Sequence, residues 1–442
     1  MKIRGLTIAT VVLAALAGTL YWSNRHKPKE TTQASADTPP KILTLKEGDI
    51  TKVDLKKKPG DSIVLAKDSG GKWQITSPQT LGADQSSVSS MVSTLSSLSS
   101  DRLVEDKASD LNQYGLAEPA LQVAITEKDN KSQKLLVGDE TPTSGGAFAR
   151  LDGDPRVFTI ASYTKSSIDK SVNDLRDKRL LTVDPDKVSR VELNANKQDV
   201  EFGRNKDQWQ ILKPKPLRAD AFQVDELVRK LSDAQMEISS DSDAKKTAAG
   251  FASGTPVATA KLTTDSGTQE LQVRKNKDDY YAKSSVVDGV YKVTSAVGEG
   301  VNKKLDDFRN KKVFDFGFND PNKVEIHDGS KAYFLTKGGQ DWWGTDGKKL
   351  DAGSVDSLVS KLRDLQASKF VESGFTTPVI EMTVASNDSK RTEKVLISKS
   401  GGSYVAKREN EPSLYALDSS AVEELQKSAG EIKPAAAPAT KK

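Results

Sequence analysis

The chain has 442 residues and no cysteine. A disulfide framework, a thiol nucleophile, a zinc–thiolate centre and lipid attachment through sulfur are therefore all excluded. Histidine is nearly as scarce. There are two, His26 and His327, and only the second lies outside the polar N-terminal stretch. That argues against imidazole acid–base chemistry and against multi-histidine metal sites. Neither sign of charge dominates: 66 Lys+Arg face 62 Asp+Glu, and no run of five like charges occurs. A nucleic-acid-binding chain would show a basic stripe, and none is present.

Reaction motifs are missing as well. No Gly-x-Ser-x-Gly and no His-Glu-x-x-His appears. The Ser-Gly-Gly triplets at 69–71, 144–146 and 400–402 lack the Gly-Lys-Ser/Thr of a phosphate loop and read as connections between strands. The acidic stretches 152–155 and 278–279 lack the ligand spacing of a calcium loop and read as hairpin turns. His327 reads as a surface residue. No catalytic, cofactor-binding or metal-binding residue is assigned, and a non-enzymatic role is expected.

What is present starts with an apolar run. Lys2 and Arg4 precede an uncharged stretch from Leu6 to Trp22, followed by Arg25, Lys27 and Lys29. Counting Ile3 and Gly5, its length is about 20 residues, enough to span a bilayer. Tyr21 and Trp22 sit where interfacial aromatics belong. Ala15-Leu16-Ala17 would suit cleavage of a signal peptide, but the apolar run continues past it. An uncleaved signal anchor over 1–22 is expected, then a flexible tether over 23–40 and a disordered tail over 433–442.

The interior repeats itself. Strand starts "KVDL", "RVEL" and "KVEI" place Val53, Val191 and Val324 at intervals of 138 and 133. A tryptophan strand follows in each copy: Trp73, Trp209, and the pair Trp342-Trp343. Next comes an apolar stripe at offsets 0, +3, +4, +7 and +10, starting at Val88, Val224 and Val355. That spacing is one buried face of a helix. Asp84 and Asp220 suit its N-cap. Gly-apolar pairs with a nearby proline and four short alternating strands complete each copy. The predicted fold class is α+β: three tandem homologous domains at 41–183, 184–316 and 317–432. Each consists mainly of antiparallel meanders packed with one principal amphipathic helix.

Two residue sets invite a binding role. The phrase "LRDKRLL" (175–181) returns as "FRNKKVF" (308–314) at the end of the first and second copies, but not of the third. Its cations Arg176, Lys178, Arg179, Arg309, Lys311 and Lys312 could face an acidic partner or anionic lipid. The reading preferred is an inter-domain joint whose flanking apolar residues dock into cores. Trp73 and Trp209 read as core anchors. Alternation along a strand puts one indole of Trp342-Trp343 outside, which makes that pair the candidate partner contact. The nine serines between 86 and 100 read as a solvated helix face.

The N-terminal span, "WQI" before an Asp-capped helix, "YGLAEP" (114–119) and "LRDKRLL" together resemble a bacterial family known only as a domain of unknown function, DUF4340-like. The resemblance implies a single-pass envelope protein, often encoded beside gliding-motility-type ABC transporter subunits. It supplies no catalytic residues. The expectation is an inner-membrane protein with its body in the periplasm or extracytoplasmic space, acting as a scaffold or transporter accessory. The alternatives are a glycan- or lipid-binding module and, third, an unrecognised hydrolase.

Overall fold

The computed structural model describes residues 40–60, 62–142, 145–205, 208–238, 243–316 and 321–436. The expected anchor and most of the tether lie outside the described residues. Among the described residues, no helix is long and apolar enough to cross a membrane. The chain divides into two compact units, up to Asp177 and from Lys178 onward. The first unit holds one sheet and one core, the second holds two of each.

In the first module the strands are β1 (Ile50–Lys57), β2 (Ser62–Lys67), β3 (Trp73–Ser77), β4 (Leu81–Gly82), β5 (Arg102–Glu105), β6 (Leu121–Glu127), β7 (Ser132–Glu140), β8 (Gly146–Leu151) and β9 (Val157–Ala161). Their order across the sheet is β4-β3-β2-β1-β6-β7-β8-β9-β5. The helices are α1 (Gln85–Ser96), α2 (Ser162–Ile168) and α3 (Val172–Leu175).

The second module has β10 (Arg190–Ala195), β11 (Gln198–Asn205), β12 (Gln208–Lys213), β13 (Leu217–Arg218), β14 (Thr255–Thr264), β15 (Gly267–Asn276), β16 (Asp279–Ser284) and β17 (Tyr291–Val293). Their order is β13-β12-β11-β10-β14-β15-β16-β17. Its helices are α4 (Ala221–Ser232), α5 (Ala244–Ala252) and α6 (Ser295–Val301).

The third has β18 (Pro321–Asp328), β19 (Lys331–Gly338), β20 (Asp341–Gly344), β21 (Lys369–Val371), β22 (Pro378–Ser386), β23 (Arg391–Ser400), β24 (Ser403–Arg408) and β25 (Leu414–Leu417). Their order is β20-β19-β18-β22-β23-β24-β25-β21, with helices α7 (Ala352–Asp364) and α8 (Ser419–Gly430).

The plan is the same each time. A short meander and a longer one share a seam where their first strands pair antiparallel: β1 with β6, β10 with β14, β18 with β22. The long helix connects the two meanders and covers one face. Its stripe residues are buried in all three modules, from Val88 to Leu98, Val224 to Ala234 and Val355 to Leu365. Burying five such side chains supplies about 1.5–3 kcal/mol for each large one. Asp84 and Asp220 cap their helices by accepting a backbone N–H three residues on, from Ser87 and Gln223. Asp351 does the same for Ser354 in the third module, a cap the sequence reading had not placed.

Two expected boundaries move. Leu180, Leu181 and Val183 lie in the second core, and Val313, Phe314 and Phe316 in the third. An apolar residue follows the core that buries it, so each module starts several residues before 184 and 317. The tail also begins later than 433. Asp351 N–H donates to Lys433 O at 2.9 Å, Ala435 N–H donates to Lys349 O at 2.9 Å, and Pro434 bridges Leu350.

Candidate functional site

The repeated phrase resolves into two halves. The first half is an exit: the N–H of each helix cap donates to the carbonyl of the chain leaving the module. Asp84 bonds Leu175, Asp220 bonds Phe308, both at 2.8 Å, and Asp351 bonds Lys433 at 2.9 Å. Arg176, Arg309 and Pro434 then bridge Ala83, Ala219 and Leu350. The second half is a lead-in that pairs with the segment after each long helix: Arg179 with Gln235, Lys312 with Gln366, and also Lys41 with Ser99. The exit therefore exists in the third module and the lead-in in the first, with other residues. Only at the two internal joints do both halves abut. Leu175 and Phe308 fill the core behind, and the pairs Leu180-Leu181 and Val313-Phe314 fill the core ahead.

Within the second unit this joint is built around two arginines. Arg309 is 7 % exposed. Its guanidinium lies 3.5 Å from the centroid of the Phe370 ring, and it donates to Ser413 Oγ and Asp306 Oδ1, both at 2.9 Å. Arg218 crosses from β13 into the third module. It donates to Lys312 O and to Tyr415 Oη, and its Nε lies 2.8 Å from Glu411 Oε1. Arg408 bonds Val313 O, Glu393 and Glu411 in turn. Burial pushes the Glu411 carboxyl up, but Arg218 and Arg408, with the Tyr415 hydroxyl, outweigh it and hold it below its ordinary value of 4.5. Burial raises the Tyr415 hydroxyl above its ordinary value against the opposing pull of Arg218.

The phrase cations thus part company. Arg309 is buried and structural. Lys311 and Lys312 are exposed, and among the described residues neither makes an ion pair. They border a groove of about 530 Å³ that also meets Arg218, Arg391, Trp209 and Phe222. In the first joint, Arg176 and Lys178 are half-buried and Arg179 is exposed, and each of the arginines carries its strand bridge.

The tryptophans behave as alternation requires. Trp73, Trp209 and Trp342 are buried, while Trp343 is 39 % exposed. The Trp343 indole rests on Gly338, where a Cβ would come within 3.2 Å of Nε1. His327 is exposed and stacks edge-on with Phe334 at 5.3 Å.

The tryptophan strands differ at their edges. Trp73 N–H donates to Gln85 Oε1, and Gln85 Nε2 donates back to Trp73 O and Ala83 O, all at 2.9 Å. One side-chain amide thus imitates a neighbouring strand. In the third module the backbone closes the edge, with Leu350 N–H donating to Trp342 O at 2.8 Å. In the second, Ala221 stands in the place of Gln85 and has no amide. The β12–β13 ladder covers only Gln210↔Arg218 and Ile211↔Leu217. Among the described residues no side chain bonds the Trp209 main chain, and that edge lines the groove.

A second depression, about 650 Å³, lies on the outer face of the second sheet. Its register sets Lys213, Glu201, Glu192, Lys261 and Glu270 in a row across five strands. Glu192 and Glu201 are direct neighbours, an unfavourable pairing by itself. Arg190 Nη2 lies 3.0 Å from both, and Lys213 Nζ lies 2.8 Å from Glu201. The row neutralises itself and leaves little for a ligand. Among the described residues, no cluster of three or more His, Asp or Glu side chains is placed to hold a metal ion.

These features define a tandem series of antiparallel α+β modules, with ion pairs at the joint between the second and the third. The chain belongs to the family described as Domain of unknown function (DUF4340), whose sequence profile matches residues 73–216 and again 209–390. Both matches start at the tryptophan strand and run through a joint into the next module, so the joint is part of what the family shares. No curated protein and no solved structure matches the chain.

Proposed function

We propose that the protein is a scaffold anchored in the bacterial inner membrane by residues 1–22, with its body extracytoplasmic and its three modules derived from one repeated unit. It serves as an accessory subunit of an ABC-type transport assembly. The observation that supports this reading most is the joint around Arg218 and Arg309. The buried Arg309 and the half-buried Arg218 hold the second and third modules together through ion pairs, hydrogen bonds and a cation–π contact. A fixed spacing between modules is what a scaffold needs and what a single-site enzyme would not. Purification from native membranes in mild detergent tests it. Transporter ATPase or permease subunits should accompany the chain. Recovery of the chain in the soluble fraction, or from membranes without any transporter subunit, would overturn the reading.

The exposed Trp343 favours a second reading, a contact with envelope glycan. Retention on peptidoglycan that is lost in Trp343→Ala supports it, and retention unaffected by that change removes it.

A further inference from the structure

We infer that the groove beside Trp209 is a binding site for an extended acidic peptide segment of a partner protein. The inference deepens the scaffold reading and rests on it only in taking the partner to be a protein.

Three independent features meet there. The first is an unclamped strand edge. Trp73 and Trp209 hold the same strand position, paired with Lys67 and Arg204 of the preceding strand. The Trp73 N–H points toward its helix, because Gln85 receives it. The shared register gives the Trp209 N–H the same direction; Ala221 offers it no side-chain acceptor, and both residues line the groove. An extended peptide can supply the carbonyl that Gln85 supplies in the first module, which is the main-chain logic of β-strand addition.

The second feature is charge. Arg218, Lys311, Lys312 and Arg391 line the groove against only Asp220 and Asp315. Asp220 is engaged as a helix cap, and Asp315 lies 3.5 Å from both Arg218 and Arg391. Lys311 and Lys312 remain for a ligand, and they suit carboxylates on alternate residues of a strand. The third is Phe222, 72 % exposed on the first turn of α4 at the rim. It offers an apolar side chain a place to rest between the acidic positions. A simple anion or a lipid headgroup would use the lysines alone. The open N–H and the phenyl ring favour a peptide.

Fluorescence anisotropy with the full-length protein in detergent tests this, using a fluorescein-labelled peptide of alternating glutamate and leucine. Binding should weaken about tenfold or more in Lys311→Glu/Lys312→Glu, as expected where charge complementarity guides association. It should also weaken about tenfold in Ala221→Gln, which installs the clamp of the first module while leaving every charge in place. Circular dichroism melts confirm that both variants fold. Peptide binding unchanged in Ala221→Gln would overturn the inference, since charge alone would then explain it. So would equal competition by inorganic phosphate or by phosphatidylglycerol vesicles, or no binding at all. Failure here leaves transporter co-purification untouched, and the converse also holds.

Discussion

Gln85 and Ala221 occupy one position in two copies of the same module, and they leave two different strand edges behind them. In the first module a glutamine amide closes the edge of Trp73 with a pair of hydrogen bonds. In the second, a methyl group leaves the edge of Trp209 beside a groove with two lysines that make no ion pair among the described residues. Buried backbone groups are seldom left without partners. An edge closed by a side chain in one copy and open in another is therefore informative about use. The first copy keeps the fold and the second keeps the fold plus a place for something else. Whatever distinguishes the copies, it is not the core, since the buried helix stripe has the same offsets throughout.

The comparison can be broken most forcefully at the cores. Trp73→Ala should destabilise the first unit by about 3–5 kcal/mol, the range for truncating a buried aromatic. In calorimetry its transition should move while that of the second unit stays. A joint shift of both would refute their independence. Next in size is Arg218→Ala, which removes one of the two arginines on Glu411 and the guanidinium donor to Tyr415 at the second joint. The loss should be about 2–3 kcal/mol, less than for a fully buried pair because both charged partners keep some exposure. Urea unfolding should show it in the second unit only.

Smaller again is the clamp itself. Gln85→Ala should cost the first unit about 1–2 kcal/mol through lost hydrogen bonds to Trp73 and Ala83. Ala221→Gln, the reverse exchange, should change the second unit by no more than about 0.5 kcal/mol. Equal and opposite effects would mean that the Trp209 edge was as much in need of closing as that of Trp73. The smallest effect concerns pH. The folded Glu411 carboxyl lies below 4.5, so its contribution is complete above that value and disappears as pH falls through the folded value. Melting of the second unit should therefore depend on acid less in Glu411→Gln than in the unaltered chain.

Periodicity made the repeated plan legible. The tryptophan strands, the helix stripes and the two aspartate caps all occupy the places their spacing implies, because local propensity and core burial agree there. The third cap, Asp351, was equally visible, four residues before Val355 as Asp84 is before Val88. The expected boundaries at 184 and 317 lie late because the second half of the joint phrase belongs to the core of the following module. Its two halves serve different modules, and a linear motif does not say where it divides. The exit at Lys433-Pro434 was hidden for a related reason. Backbone pairing with Leu350 and Asp351 places few demands on side chains, so the residues there need not look like Leu-Arg or Phe-Arg. The roles of Arg218 and Gln85 depend on neighbours far along the chain or on the far side of a turn, such as Tyr415, 197 positions away. No spacing rule reaches that distance.

Residue-resolved hydrogen exchange at the Trp73 and Trp209 amides addresses the difference between the copies at its source. The Trp209 amide should exchange faster than the Trp73 amide, and Ala221→Gln should slow it toward the first module's rate. Equal protection of the two amides in the unaltered chain, with no response to that substitution, would contradict the account.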